Sequence, residues 1–214
     1  MRLITKGEQP TLGLFSGIHG DEWQIIGSAE KAITQLSAQL PDFLFVPECS
    51  PTAVAQKTRL NGEGIDLNRS FIQHPTSTEA LTILKILQSH RFKLCVDFHE
   101  DVEHAGVYLY DTDDIEGSKN LTVFRDQVTQ IAPLYTGLDD ERDPQLGGQV
   151  YKGYRVVRPP KKDYQGNHIY EGFIDLWAMI EQKTQRWITL EIPTGLTQQQ
   201  KDQIVLIFFQ TLVL

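Results

Sequence analysis

The 214-residue sequence contains only two cysteines, Cys49 and Cys95, neither in a Cys-x-x-Cys arrangement, which excludes a disulfide framework. Cys95 lies inside the apolar run from Phe92 to Val96 and reads as a small buried hydrophobe, so neither thiol is a candidate nucleophile. The start of the chain, Met1 followed by Arg2-Leu3-Ile4-Thr5-Lys6-Gly7, lacks the apolar segment of a secretory leader, and no apolar run is long enough to cross a bilayer. The expectation is a soluble cytoplasmic protein. Positive charge is scarce: 20 Lys and Arg against 28 Asp and Glu leave a net charge of −8 and a pI near 5.2, which argues against general attraction to nucleic acid or anionic membranes. Internal repeats and low-complexity tracts are absent too. With 40% hydrophobic and 22% charged residues, the chain is expected to form one domain over residues 1–214.

What is present alternates between strand and helix signals. Leu12-Gly13-Leu14-Phe15 reads as a buried strand running into the glycine-bracketed turn Ser16-Gly17-Ile18-His19-Gly20. From Glu22 to about Leu36, Trp23, Ile26, Ala29, Ile33 and Leu36 recur at helical spacing. Phe43 to Val46 is a second strand, stopped by Pro47, and residues 48–71 show no sustained period and read as a long loop. Thr76 to Glu79 has capping-box spacing ahead of a helix with Leu81, Leu84 and Leu87 on one face. Phe92 to Phe98 is a strand with His99 at its far end; Gly106 to Tyr110 is another, and Leu121 to Ile131 a helix. Residues 133–168 read as an irregular excursion, Phe173 to Lys183 as a helix, and Trp187 to Ile192 as a strand stopped by Pro193. Thr197 and Gln200 have capping-box spacing before a final helix through Leu212. This order indicates an α/β fold, a three-layer α/β/α arrangement with a mostly parallel or mixed central sheet.

His19 and Glu22 sit where a strand ends and a helix begins, so both side chains can reach one point above the sheet edge. In open α/β sheets that edge is where ligands bind. His99, ending a different strand, can arrive at the same crevice. Two imidazoles and one carboxylate with a position left for water form a recurrent catalytic zinc set. Taken alone, His-x-x-Glu also fits surface polarity or a carboxylate favoured at a helix start. Glu191 shares a strand face with Trp187 and Thr189, where a carboxylate is costly without a partner; the alternative is a solvent-exposed strand end. Arg59 to Phe71 brings two arginines and an asparagine into a glycine-punctuated loop. Guanidinium forks bind carboxylates at two points, and the same composition also describes an ordinary polar loop.

Four segments then occur in one order: Ser16-Gly17-Ile18-His19-Gly20-Asp21-Glu22, Gly64 to Phe71, Cys95-Val96-Asp97-Phe98-His99, and Thr189-Leu190-Glu191. Together they resemble the signature segments of the zinc carboxypeptidase superfamily, which includes carboxypeptidases, peptidoglycan-peptide amidases and the aspartoacylase/succinylglutamate desuccinylase deacylases. The resemblance implies one zinc ion on His19, Glu22 and His99, and Glu191 as general base. It implies that Asn68 and Arg69 hold the substrate's free carboxylate and that Arg59 polarises the scissile carbonyl. Tyr170 resembles the mobile tyrosine that closes over that carboxylate, with Asp175 near the specificity pocket. Asp97 fits a supporting role behind the metal.

The chain is shorter than most extracellular carboxypeptidases, which implies trimmed loops. His99 to His104 is rich in possible ligands; a solvated acidic loop is favoured there over a second metal. Lys152 to Lys162, with Arg155, Arg158 and Lys161, reads as a solvated basic loop, with a pocket border for acidic substrates as the alternative. His74, His90 and His168 read as surface histidines. The expected activity is hydrolysis of an amide or peptide bond next to a free carboxylate, on a small peptide or acylated amino acid. An N-acyl amino acid deacylase and a non-catalytic carboxylate-binding module are the alternatives.

Overall fold

The computed structural model describes residues 1–139, 148–157 and 160–214. In chain order the elements are β1 (Ile4–Lys6), β2 (Leu12–Ser16), α1 (Gln24–Leu36), β3 (Phe43–Val46), α2 (Pro51–Gln56), α3 (Thr78–Gln88), β4 (Phe92–Asp101), β5 (Tyr108–Asp111), α4 (Lys119–Val128), β6 (Gly137–Leu138), β7 (Gln149–Val150), β8 (Tyr154–Val156), α5 (Ile174–Ile180), β9 (Thr184–Pro193) and α6 (Gln198–Phe208). Seven strands form one mixed sheet in the order β1-β3-β2-β4-β9-β5-β8. The neighbours from β3 through β2 and β4 to β9 run parallel, whereas β1 on β3 and β5 on β9 are antiparallel. Among the described residues no helix is long and apolar enough to cross a membrane.

The pleat assigns alternate side chains to two cores. On one face Leu12, Leu14, Val96, Phe98, Ile188, Leu190 and Ile192 pack under α1, α4 and α6. On the other, Phe15, Cys95 and Trp187 pack under α3 and α5, with the Phe15 and Trp187 rings stacked at 5.4 Å. This second face changes character along the strands. Cys95 is followed on its side of β4 by Asp97 and His99, and Trp187 on β9 by Thr189 and Glu191. Helices cover the apolar halves, and the polar carboxyl ends stand beyond them.

Most expected elements are present, with differences of local cause. Helix α1 begins at Gln24, so Glu22 stands in the preceding turn. The segment 48–71 is not all loop: it holds α2, a six-residue helix too short to show a period, and a 3-10 turn at Leu67–Arg69. Helix α3 is capped by Ser77, whose side chain accepts from the Ala80 N–H, and not by Thr76. Glu79 is drawn away to Ser50 and Thr52, and Leu81 is exposed because the buried face is Ala80, Ile83, Leu84 and Leu87. Strand β4 continues past His99 to Asp101, and the 133–168 excursion contributes β8 to the sheet edge. The capping box at Thr197 and Gln200 is present in both halves.

Leu190 is fully buried at the centre of β9. Leu190→Ala is expected to lower the unfolding free energy by about 2–5 kcal/mol, measured by urea titration; a loss well under about 1 kcal/mol would show that this face does not carry the core.

Candidate metal centre

The turn after β2 delivers His19 because the chain there passes tightly over α2: a Cβ on Gly20 would lie 1.9 Å from the Ala53 carbonyl oxygen. Glu22 follows in the same turn, and His99 arrives from β4. The ligand atoms of His19, Glu22 and His99 all lie within 4.8 Å of one another, and all three residues are buried. The Glu22 carboxylate meets both rings at Nδ1, His19 at 2.6 Å and His99 at 2.7 Å.

The far nitrogens are held as well. His19 Nε2 is 3.1 Å from Asp66 Oδ1, and His99 Nε2 is 3.2 Å from Asp97 Oδ2. Asp97 is fixed in turn by the Trp187 indole N–H at 2.8 Å. Each ring has a carboxylate oxygen at both nitrogens, and a neutral imidazole can donate from only one of them, so the other nitrogen faces an oxygen as acceptor against acceptor. Acceptor against acceptor requires positive charge between them, supplied by further protons or by a metal ion. The electrostatics agree. Burial opposes the charged form of His19, yet the Glu22 charge and the bonds to Asp66 and Glu22 raise its pKa, and His99 is raised well above the usual histidine value in the same way. Burial would push the Glu22 carboxyl up, but the two imidazoles hold it far below the usual carboxylate range. The donor set of two imidazole nitrogens and one carboxylate fits zinc.

Glu191 is the register partner of His99 across the parallel β4–β9 pair, so both side chains emerge on one face. It is partly exposed. Burial, reinforced by the charges of Glu22, Asp101 and Asp97 and opposed by His99, pushes its pKa up to about 8. Tyr108 pairs with Glu191 from the antiparallel side, and Tyr110 with Thr189. Burial and the Glu191 charge raise both phenols.

Arg59 and the Asn68-Arg69 pair are organised by Asp66, a residue to which the sequence reading gave no role. Asp66 faces His19, accepts from Arg59 Nε at 3.1 Å, and caps the 3-10 turn through the Asn68 N–H at 2.9 Å. Burial opposes its charge, but the His19 bond and the arginines bring its pKa down to about 2. Arg59 Nη1 lies 3.5 Å from His19 Nδ1, which sets the guanidinium beside the metal ligands. Asn68 Oδ1 is buried with no hydrogen-bond partner among the described residues, an unmet polar atom of the kind a ligand contact relieves. The Arg69 guanidinium sits 4.3 Å over the Phe173 ring.

The two remaining expected residues part company. Asp175, in the first turn of α5, feels the charges of Asp97 and His99; burial and then Asp97 push its pKa up to about 7. Tyr170 is hydrogen-bonded to Glu181 at the other end of that helix. Its backbone neighbourhood is tied to the clamp: Phe71 and Gly172 form a β-bridge, and Gly172, at φ 95°, lies so close that an added Cβ would sit 2.6 Å from the Arg69 carbonyl oxygen.

The acidic run after His99 is not a solvated loop throughout. Glu100 is buried, and Asp101 accepts from the Tyr108 hydroxyl at 2.6 Å and lies 2.6 Å from His104 Nδ1. In the basic stretch Arg155 pairs with Asp139 and Lys161 with Glu171; Arg158 lies outside the described residues.

Asp97→Asn is expected to weaken zinc binding by about 10- to 100-fold, because the amide no longer anchors the His99 Nε2–H as a charged acceptor; competition with a chromogenic chelator measures it, and unchanged affinity would deny Asp97 this role. Raised histidine pKa values mean that protons compete for the ligands near neutrality. Zinc affinity is therefore expected to rise with pH through and beyond the usual histidine range, as the protons that compete for His19 and His99 are lost; a flat profile in the same titration would contradict the ligand assignment.

Comparison with known proteins follows the same lines. A search of curated proteins finds no match. Across solved structures, a candidate metallopeptidase from Shewanella amazonensis superposes with a TM-score of 0.75 at 20% identity, covering 99% of this chain and 80% of that one. A metallo-carboxypeptidase from Burkholderia cenocepacia gives a TM-score of 0.66 at 13% identity, covering 99% of this chain and 59% of that one. An aspartoacylase family protein from Mesorhizobium loti gives 0.57 at 19% identity, covering 99% and 60%. These likenesses show the fold. The model of the succinylglutamate desuccinylase/aspartoacylase catalytic domain matches residues 8–137, a span that includes His19, Glu22, Arg59, Asn68, Arg69 and His99. The chain belongs to the succinylglutamate desuccinylase/aspartoacylase family, within the zinc carboxypeptidase-like fold.

Proposed function

We propose that this chain is a zinc-dependent hydrolase that cleaves an amide bond next to a free carboxylate on a small peptide or acylated amino acid. The observation that carries the reading is the convergence of His19, Glu22 and His99 beside a partly exposed Glu191 in register with His99.

When bound, zinc supplies Lewis acidity, lowering the pKa of water from about 16 toward about 7 and polarising a carbonyl. The protein's groups supply the rest. Glu191 is the general base: a carboxylate in register with His99, on the same face of the sheet, can take a proton from water and return it to the leaving amine. Arg59, steered by Asp66, is positioned to stabilise negative charge developing on the carbonyl oxygen. Asn68 and Arg69 hold the substrate's carboxylate, the guanidinium oriented by the Phe173 ring. Asp175 borders the same space and bears on which leaving group fits.

Peptide and N-acyl amino acid substrates share this chemistry. The likeness to metallopeptidase structures, with high mutual coverage, supports peptide cleavage. The family match favours a second reading, N-acyl amino acid deacylation.

A panel of peptides with free C-termini, the same peptides amidated, a muropeptide and N-acyl amino acids, assayed with zinc, separates these readings. Turnover is expected to require the free carboxylate, and cleavage of amidated peptides at equal rate would refute the clamp. Turnover confined to the N-acyl amino acids would select deacylation. Glu191→Gln is expected to retain zinc while losing about 100-fold or more in rate; undiminished activity would remove it as the base.

A further inference from the structure

Helix α1 begins without a cap of its own. Trp23 precedes it and offers no side-chain acceptor, and its first turn holds no acid. The exposed amides of such a start require an acceptor. Glu100 provides one from β4: its Oε2 accepts from the Gln24 N–H at 3.0 Å and the Ile25 N–H at 3.2 Å. The backbone N–H of the same residue donates to Glu22 Oε2 at 3.1 Å. Glu100 thus fixes both the Glu22 carboxylate and the start of the helix two residues beyond it.

The other Glu100 oxygen meets a lysine. Lys201 on α6 is completely buried, and its ammonium is hydrogen-bonded to Glu100 Oε1, to Gln24 Oε1 at 2.6 Å and to the Thr194 carbonyl at 3.1 Å. Three acceptors use all three of its hydrogens. An apolar residue of similar volume could fill this space without desolvating an ammonium, and buried ion pairs of this kind are weak sources of stability. What the pair supplies is direction: it holds α1, β4 and α6 in one orientation at the metal end of the sheet.

We propose that Lys201 is a positioning residue for the metal centre, acting through Glu100 on Glu22. The proposal rests on the metal reading above but not on the substrate. Its reach is long, since Lys201 and Glu100 are separated by 101 positions in the chain.

The test compares zinc dissociation constants, from chelator competition, with melting temperatures of the metal-free full-length chain for the unaltered protein, Lys201→Met and Val205→Ala. Val205 is a fully buried residue of the same helix that packs in the apolar core. Both substitutions are expected to lower the melting temperature, but only Lys201→Met should weaken zinc by about tenfold or more. Unchanged zinc affinity in Lys201→Met, or an equal loss in Val205→Ala, overturns the proposal and leaves the metal site standing. Should Lys201→Met fail to fold, Glu100→Gln, which preserves size, takes its place with the same expected loss, and unchanged affinity there overturns the proposal equally. If the unaltered protein binds no zinc, the proposed function and this inference fall together.

Discussion

One carboxylate facing two imidazoles at Nδ1 sets the terms for everything around it. Glu22 brings negative charge into a buried turn where water cannot solvate it, and its stability there depends on cationic partners on both sides. The surrounding residues follow from that demand. Asp66 and Asp97 orient the rings from behind, Trp187 and Arg59 hold those two aspartates, and the Glu100 N–H closes the remaining side of Glu22. Burial and the Glu22 charge push the Glu191 carboxyl up against the pull of His99, whereas the two imidazoles bonded to Glu22 hold that carboxyl down.

The sheet turns this local chemistry into a site. Parallel pairing of β2, β4 and β9 brings their carboxyl ends to one edge, and the pleat sets Asp97 and His99 beside Thr189 and Glu191 on the same face. The antiparallel arrival of β5 adds Tyr108 and Tyr110 to that face without a long crossover. Cys95 and Trp187, nearer the starts of β4 and β9, and Phe15 stacked on Trp187 anchor the floor from which the polar side chains rise.

Much of this was legible in the sequence because it depends on short-range pattern. A histidine at the end of an apolar run, a His-x-x-Glu at a strand-to-helix turn, and a glutamate on the Trp187 and Thr189 face could each be placed from periodicity, but their joint role came from the resemblance carried by four ordered segments. The role expected of Asn68 and Arg69 likewise came from the resemblance, since their composition alone also describes a polar loop. What the sequence concealed depends on distant partners. Lys201 lies in the polar run Gln198-Gln199-Gln200-Lys201-Asp202, and nothing near it reveals a buried carboxylate waiting on another strand. Glu100 and Asp101 look like solvated acids until β4 is seen to continue and β5 to return beside it. Asp66 sat inside a recognised motif, yet its role emerges only where His19 and Arg59 meet it. The hydrogen bond from the Tyr170 hydroxyl to Glu181 likewise joins positions that no local pattern links.

The contact between Gly172 and the Arg69 backbone has a mechanical result. With the Phe71 bridge on one side and no room for a side chain on the other, the Leu67–Arg69 turn and the lead-in to α5 are packed backbone to backbone. A side chain at position 172 would therefore push apart the two segments that present Arg69 and Phe173, whose guanidinium and ring lie 4.3 Å apart.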